Sequence, residues 1–177
     1  MCLSMENIHI FDNFLNEQEL HIILDMIKKK MWKYGHSSGT IIEKIENKFF
    51  AGYDIGDFCN EYIKSKIENI LNKQFILDRN YMHLQPYEMN GAYHIDSEKE
   101  NTYSFCIYIT SIENDDIENA NGDFLLKIPN SDIIICINTN MNRGVFFPST
   151  YLHKGLAYNR FYKEDRICIA WKFTEIL

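Results

Sequence analysis

The sequence predicts an α+β protein, mainly β with N-terminal helices, in which helices precede a domain of antiparallel strands. Three observations carry this prediction. The length of 177 residues is that of one typical domain. Two stretches before residue 73 repeat apolar residues at helical spacing. From residue 74 onward, short apolar runs follow one another with turn residues between them, which is typical of a sandwich or a barrel.

The first helix is predicted over about residues 17–31. Asn16 and Glu19 form a capping-box pattern at its start, and residues 7–14 before it predict a short strand and a turn. The apolar stripe of this helix is formed by Leu20, Ile23, Leu24, Ile27 and Met31. A stripe of this width indicates that one face of the helix packs on the rest of the domain.

The remaining N-terminal residues are expected to complete the support of the β core. Residues 32–55 predict strands and turns, and a second helix follows over about 57–72. A single domain is therefore expected over 1–177, with helical support over about 1–73 and the β core over about 74–177.

The apolar runs of the β core are separated by good turn sequences. The runs span residues 74–77, 81–88, 102–110, 123–128, 132–137, 144–148, 151–156 and 166–173. Asn-Gly pairs at 90–91 and 121–122 favour tight turns. No helical stretch is predicted between these runs, so antiparallel pairing is expected.

The charge and the N-terminus disfavour several classes of protein. Lys and Arg number 18 against 25 Asp and Glu, which gives a net charge of −7. A nucleic-acid partner is therefore not expected, because such proteins present a basic face. The N-terminus lacks the pattern of a signal peptide, and no apolar stretch is long enough to span a membrane. We expect a cytoplasmic protein with no membrane partner.

The cysteines point to a reducing compartment rather than to a disulfide framework. They are odd in number, widely spaced and without a CxxC pair, at Cys2, Cys59, Cys106, Cys136 and Cys168. The last three lie inside apolar runs, so buried free thiols are expected.

The tripeptide His94-Ile95-Asp96 is the first candidate for chemistry. In a strand, residues i and i+2 point to the same face, so His94 and Asp96 would present an imidazole and a carboxylate to one point. His153 lies in another short run. Two histidines and one carboxylate form the ligand set of non-haem Fe(II) oxygenases. The alternative is that each histidine is an ordinary turn or strand residue.

Arg166 opens the last apolar run and is the second candidate. An arginine in a buried strand needs an anion, and its planar guanidinium pairs well with a carboxylate. Cys168 and Ala170 would share its face and leave room beside it. The alternatives are an edge-strand ion pair with Asp165 or Glu164, and Arg160 as a competing anion-binding residue.

The stretch from Tyr81 to Phe173 resembles the catalytic core of the Fe(II)/2-oxoglutarate-dependent dioxygenases, most of all the prolyl 4-hydroxylase-like branch. The matching segments are PYEMNGAYHID, SFCIYIT, NGDFLL, RGVFFPSTYLHKG and DRICIAWKF. The resemblance implies a double-stranded β-helix, a cupin-like jelly roll. The chain departs from the family in two spacings: the segment from His153 to Arg166 is longer than usual, and that from Tyr87 to His94 is shorter.

The resemblance also implies roles for individual residues. His94, Asp96 and His153 fall on the metal ligands, and Arg166 falls on the residue that holds 2-oxoglutarate, with Cys168 at the small position beside it. Tyr87 and Tyr108 match tyrosines that contact the co-substrate.

Fe(II), 2-oxoglutarate and O2 are the implied cofactors and co-substrates, with ascorbate as a further candidate. His83 and Gln85 share a strand face with Tyr87, either as supports of the site or as polar groups that pair with each other.

The implied activity is hydroxylation of an aliphatic C–H bond, on a prolyl or other peptidyl side chain. The alternatives are a hydroxylase of free amino acids or other small molecules, a nucleic-acid dealkylase, and a cupin-like metal-binding module without activity. The spacing of Arg160 and Arg166 is similar to that of the dealkylase branch, but the acidic net charge disfavours it. A module that only binds metal would not need Arg166. The sequence leaves open the oligomeric state and whether the substrate is a peptide, a protein or a small molecule.

Overall fold

The computed structural model describes residues 7–36, 48–52, 55–113 and 116–177, and it contains two antiparallel sheets. The strands are β1 (His9–Phe11), β2 (Lys33–His36), β3 (Phe49–Gly52), β4 (Phe75–Gln85), β5 (Thr102–Ile109), β6 (Phe124–Lys127), β7 (Ile134–Ile137), β8 (Gly144–Pro148), β9 (His153–Gly155) and β10 (Arg166–Glu175). The helices are α1 (Glu17–Lys29), α2 (Asp57–Leu71) and the short α3 (Ile117–Ala120). The mainly β prediction with N-terminal helices is confirmed. Cys2 and parts of the segment 32–55 lie outside the described residues.

The larger sheet has seven strands in the order β1-β8-β5-β10-β4-β3-β2, and the smaller has three in the order β7-β6-β9. One apolar cluster joins the helices to the larger sheet, and a second cluster fills the space between the two sheets. The larger sheet is therefore covered on both faces. Strands from the N-terminal part, β1 and the pair β2 and β3, extend this sheet on its two sides, so the N-terminal part supplies more than helical support.

Helix α1 begins as predicted and ends earlier than predicted. Asn16 accepts a hydrogen bond from the backbone N–H of Glu19, whose side chain accepts one in return from the backbone N–H of Asn16. The helix ends at Lys29 because Lys30 is extended. Met31 thus lies beyond the helix and is 82 % exposed, while Ile23 and Ile27 are buried.

Strand β10 lies at the centre of the larger sheet, between β4 and β5. Alternate residues of a strand point to opposite faces. Ile169, Trp171 and Phe173 belong to the cluster beneath the helices, whereas Cys168 and Ala170 belong to the cluster between the sheets. Because Arg166 and Lys172 have the same parity as Cys168, they face the smaller sheet too.

Two sequence-based expectations are wrong in detail. The runs 74–77 and 81–88 form one strand, β4, which pairs with β10 over its whole length. Cys136 is exposed because it alternates with Ile135 and Ile137, which pack between the sheets, and so lies on the outer face of the smaller sheet. Cys59, Cys106 and Cys168 are buried free thiols as expected. Among the described helices, none has both the length and the apolar character needed to cross a membrane.

Candidate active site

The site begins with a backbone pairing between the segments that carry its two histidines. His94 and His153 exchange two N–H···O hydrogen bonds of 3.0 and 2.9 Å, although they lie in different parts of the chain. The backbone N–H of Asp96 donates to the carbonyl of Ser149 at 2.9 Å. This pairing extends the smaller sheet beyond β9 and fixes all three side chains against each other.

The side chains of His94, Asp96 and His153 converge at one point. Their ligand atoms lie within 4.8 Å of one another. The Nδ1 atom of each histidine lies near the backbone carbonyl two residues earlier, at 3.0 Å for His94 and 2.8 Å for His153. A carbonyl only accepts, so Nδ1 carries the proton and Nε2 keeps its lone pair. Both Nε2 atoms face the Asp96 carboxylate, at 3.8 and 3.3 Å from its nearest oxygen.

The protonation states suit a metal site. Burial and, second, the neighbouring His153 lower the pKa of His94 to about 4, so this imidazole is neutral at pH 7. Burial alone would raise the pKa of Asp96, but Lys172 and His153 hold it well below its usual range. A neutral imidazole and an ionised carboxylate are the forms that bind metal.

Arg166 lies in the same cavity as the histidines and is 2 % exposed. Its Nε donates to the carbonyl of Gly122 at 2.7 Å, and its Nη1 donates to Oε1 of Gln85 at 3.2 Å. Its guanidinium lies over the Tyr108 ring, 4.8 Å from the centroid. These partners are neutral, and no carboxylate in the described part of the chain forms an ion pair with it. A buried cation without an anion is a binding site for one.

Two further features shape the anion-binding end of the cavity. The hydroxyl of Tyr108 is buried, and no described residue hydrogen bonds to it. At Gly155, a Cβ atom would lie 2.7 Å from Nη1 of Arg166, so a side chain there would displace the guanidinium. The cavity thus presents one unpaired cation and one free hydroxyl at the same place.

Lys172 lies at the metal end of this cavity, beside Asp96. Its ammonium contacts Oδ2 of Asp96 and donates to Oγ of Ser104 at 3.1 Å. Burial opposes the charged form, but Asp96 and other neighbours raise the pKa of Lys172. The lysine is therefore a permanent cation beside the candidate metal ligands.

Comparison with known proteins gives a fold but no close relative. No protein-family model matches the sequence, and no curated protein matches it. An oxidoreductase of the 2OG-Fe(II) oxygenase family from Burkholderia pseudomallei matches with a TM-score of 0.76 at 7 % identity, over 96 % of this chain and 86 % of its own. A Pseudomonas putida prolyl-4-hydroxylase matches with a TM-score of 0.66 at 13 % identity, over 97 % of this chain and 94 % of its own.

A third structure is a prolyl hydroxylase from Trichoplax adhaerens in complex with a hypoxia inducible factor oxygen degradation domain peptide fragment. It matches with a TM-score of 0.67 at 15 % identity, over 96 % of this chain and 84 % of its own. The chain has the fold of the 2OG-Fe(II) oxygenases. This confirms, at the level of the fold, the resemblance expected from the sequence, including the prolyl hydroxylases among the similar structures.

The residues of this oxygenase fold fit an iron ion and 2-oxoglutarate. Two imidazoles and one carboxylate suit Fe(II) and leave coordination positions open. The unpaired guanidinium of Arg166 and the free hydroxyl of Tyr108 suit the carboxylate of a dicarboxylic acid. The two imidazoles, Tyr108 and Arg166 line one cavity, as a ligand that joins the metal to Arg166 would require.

The predicted residue Tyr87 and the alternative Arg160 are not brought to the anion-binding end. Tyr87 is 43 % exposed and does not line the cavity; Tyr81 lines it instead. The reason is that β4 ends at Gln85 before Pro86, so the strand alternation that would have aligned Tyr87 stops. Arg160 is exposed, and its guanidinium lies over the Phe161 ring at 5.2 Å. Of the two arginines, only Arg166 lines the cavity.

Sequence reasoning found some supporting residues and missed others. Gln85 does support the site, because its amide accepts from Arg166 and donates to the carbonyl of Gly155 at 3.1 Å. His83 also lines the cavity, with its Nδ1 buried. Lys172 was missed, although the alternation that groups Arg166, Cys168 and Ala170 continues to it.

Proposed function

We propose that this chain is an Fe(II)- and 2-oxoglutarate-dependent dioxygenase that hydroxylates an aliphatic C–H bond of a prolyl or other peptidyl side chain. One observation carries the proposal. His94 and His153, whose ligand atoms converge with that of Asp96, line a single cavity with a buried arginine that has no carboxylate partner among the described residues. A module that only binds metal would have no use for this cation.

The chain's own groups would bind and orient the reactants. His94, Asp96 and His153 would hold iron, and Arg166 with Tyr108 would hold the far carboxylate of 2-oxoglutarate. When bound, iron and 2-oxoglutarate supply the chemistry that activates O2. The cavity walls contribute by excluding water, since Phe124, Cys168 and Ala170 are buried apolar residues along it.

A peptidyl substrate is the finer part of this proposal. It is supported by the prolyl hydroxylases among the similar structures, one of which is in complex with a peptide. The net charge of −7 gives little attraction for the phosphates that a nucleic-acid dealkylase must approach. We also propose a reducing compartment such as the cytoplasm, which would keep Cys106 and Cys168 as the free thiols observed.

The decisive experiment is an anaerobic titration of the protein with Fe(II) and 2-oxoglutarate. We expect a weak visible charge-transfer band in the wild type and its absence in His94→Ala, Asp96→Ala and His153→Ala. Circular dichroism of each variant shows whether it is folded. A folded wild type that binds Fe(II) but gives no band with 2-oxoglutarate would overturn the proposal.

The anchor of the co-substrate has a matched control within the chain. Arg166→Ala is expected to weaken 2-oxoglutarate binding while iron still binds. Arg160→Ala removes the same charge from the exposed surface and is expected to change neither. Calorimetric titration of both variants measures this, and a loss of co-substrate binding in Arg160→Ala alone would show that the anchor is wrong.

The substrate class is tested by succinate release. Proline-containing peptides, free proline and other amino acids, and methylated single-stranded DNA are compared at equal concentration. The proposal expects release above the uncoupled background with peptides. Release with free amino acids only, or with methylated DNA only, would keep the oxygenase and replace its substrate.

A further inference from the structure

The cavity contains a second buried cation that the proposed roles do not use. The side chain of Lys172 is 7 % exposed, and the only carboxylate in ion-pair contact with it in the described part of the chain is Asp96. Its ammonium lies 5.7 Å from the centroid of the Tyr81 ring. Burial of an ammonium is costly unless it is paired and hydrogen-bonded. A lysine at this buried position therefore points to a role in the site.

The two carboxylate oxygens of Asp96 have different contacts. Oδ2 contacts the Lys172 ammonium, accepts a hydrogen bond from Oγ of Ser104 at 2.7 Å and lies 3.3 Å from Nε2 of His153. Ser104 is held in turn by Ser149 at 2.8 Å. Among the described residues, the basic groups nearest Oδ1 are Nε2 of His94 at 3.8 Å and the exposed Arg79 at 3.9 Å. Each oxygen therefore faces one of the two histidines, and Lys172 contacts the carboxylate through Oδ2.

The charged residues that line the cavity favour the binding of a dianion. Arg166 and Lys172 lie on the same face of β10, at opposite ends of the cavity lining. Between them, burial and the charge of Arg166 hold the pKa of His83 well below its usual range, so no third cation forms there. With a divalent metal on the two histidines and Asp96, the region carries three formal positive charges. A dicarboxylate would contribute two negative charges and offset most of this positive charge.

We propose that Lys172 is a positioning residue for the co-substrate. Its ammonium is kept at the metal end of the cavity by its contact with Asp96, and its charge attracts the carboxylate of the co-substrate that binds at this end. This inference rests on the proposed function, because it assumes that metal and 2-oxoglutarate share the cavity. It assigns to the metal end a cation that complements Arg166 at the other end.

The test separates metal binding from co-substrate binding in Lys172→Met, whose side chain has a similar length and no charge. We expect the dissociation constant for Mn(II) to stay within about threefold of wild type or to fall, because a cation that competes for Asp96 has been removed. We expect 2-oxoglutarate, added to the Mn(II)-loaded protein, to bind about tenfold more weakly, the loss of one charge-assisted contact. Calorimetric titration measures both constants without turnover.

Two further variants serve as controls. Lys172→Arg keeps the cation and is expected to restore 2-oxoglutarate binding to within about threefold of wild type. Lys99→Met removes a nearby exposed lysine and is expected to change neither constant. If Lys172→Met does not fold, Lys172→Gln is used for the same titrations. The absorption spectrum of the Co(II)-loaded variant reports whether the coordination of the metal has changed.

The outcomes distinguish this inference from the proposed function. If wild-type protein binds Mn(II) but no 2-oxoglutarate, the proposed function fails. If wild-type protein binds both and folded Lys172→Met binds 2-oxoglutarate equally well, only the role of Lys172 fails. Loss of Mn(II) and 2-oxoglutarate together in the folded variant would show that Lys172 serves only to keep the site in shape, which also overturns the inference.

Discussion

The two ends of the cavity balance their charges in different ways. At the metal end, the Asp96 carboxylate is paired with the Lys172 ammonium and held by Ser104. At the other end, Arg166 is surrounded by a carbonyl, an amide oxygen and an aromatic ring, all neutral. The first end is electrostatically complete without a ligand, whereas the second is complete only when an anion arrives. The geometry of the metal site is thus set by folding, whereas the charge of Arg166 stays uncompensated until the co-substrate binds.

Loss of Asp96 is expected to have the largest effect. Asp96→Asn removes a metal ligand and leaves the Lys172 ammonium buried without a counter-charge, which costs about 3 kcal/mol of unfolding free energy. We expect metal binding to be lost in calorimetry and the midpoint of urea denaturation of the metal-free protein to fall. Glu98→Gln, an exposed carboxylate two residues later, is the matched control and should change neither. Equal stability of Asp96→Asn and wild type would show that the metal end is not held by its internal ion pair.

The next largest effect is expected at Gly122, whose carbonyl accepts from Nε of Arg166. Its φ is +81°, and a Cβ there would lie 2.1 Å from the Tyr158 ring. Gly122→Ala should therefore cost about 2 kcal/mol or more and should weaken 2-oxoglutarate binding, while Mn(II) binding persists. Gly35 also has a positive φ, of +118°, and no atom of the described residues would lie within 4 Å of a Cβ there, so Gly35→Ala isolates the backbone strain. Unchanged co-substrate affinity in Gly122→Ala would mean that its carbonyl does not position Arg166.

The smallest expected effect is a pH dependence of the free energy of unfolding that arises from His94 at the metal end. In the folded metal-free protein His94 has a pKa of about 4, against 6.5 when unfolded. The unfolded chain therefore binds more protons between these values, so this contribution to stability is present above pH 6.5 and is lost as the pH falls toward 4. We expect the free energy of unfolding to decrease by roughly 2 kcal/mol between pH 6.5 and pH 5 on account of His94.

The measurement compares urea denaturation of wild type and His94→Gln across this range of pH. Because His83 also has a lowered pKa, only the difference between the two proteins reports on His94. Parallel pH profiles for wild type and His94→Gln would contradict the prediction.

Much of the metal end could be predicted from the sequence because local rules determine it. The HxD spacing places His94 and Asp96 on one side of an extended segment, and the distal His153 completes a familiar ligand set. The position of Arg166 followed from a polar residue at the start of an apolar strand. The cap of α1 and the strand character of the core were equally local signals.

What the sequence did not predict depends on contacts far apart in the chain or on where strands end. The pairing of Lys172 with Asp96 joins residues 76 positions apart, and the residues around Lys172 in the sequence do not indicate it. Tyr87, which the resemblance assigned to the co-substrate, does not line the cavity, because β4 ends at Gln85. Cys136 was expected to be buried, but only one face of β7 packs between the sheets, and the apolar run does not show which of its residues lie on that face.

The alternation along β10 has a consequence for insertions and deletions. One face of this strand carries Arg166, Cys168, Ala170 and Lys172, and the other carries Ile167, Ile169, Trp171 and Phe173. A single inserted or deleted residue near its start would exchange the two faces, so that both cations would enter the apolar core and the aromatic residues would fill the cavity. The loops at either end can change length without this penalty. We therefore expect length variation to spare β10 and to accumulate in the loop before it, where a longer segment already separates His153 from Arg166.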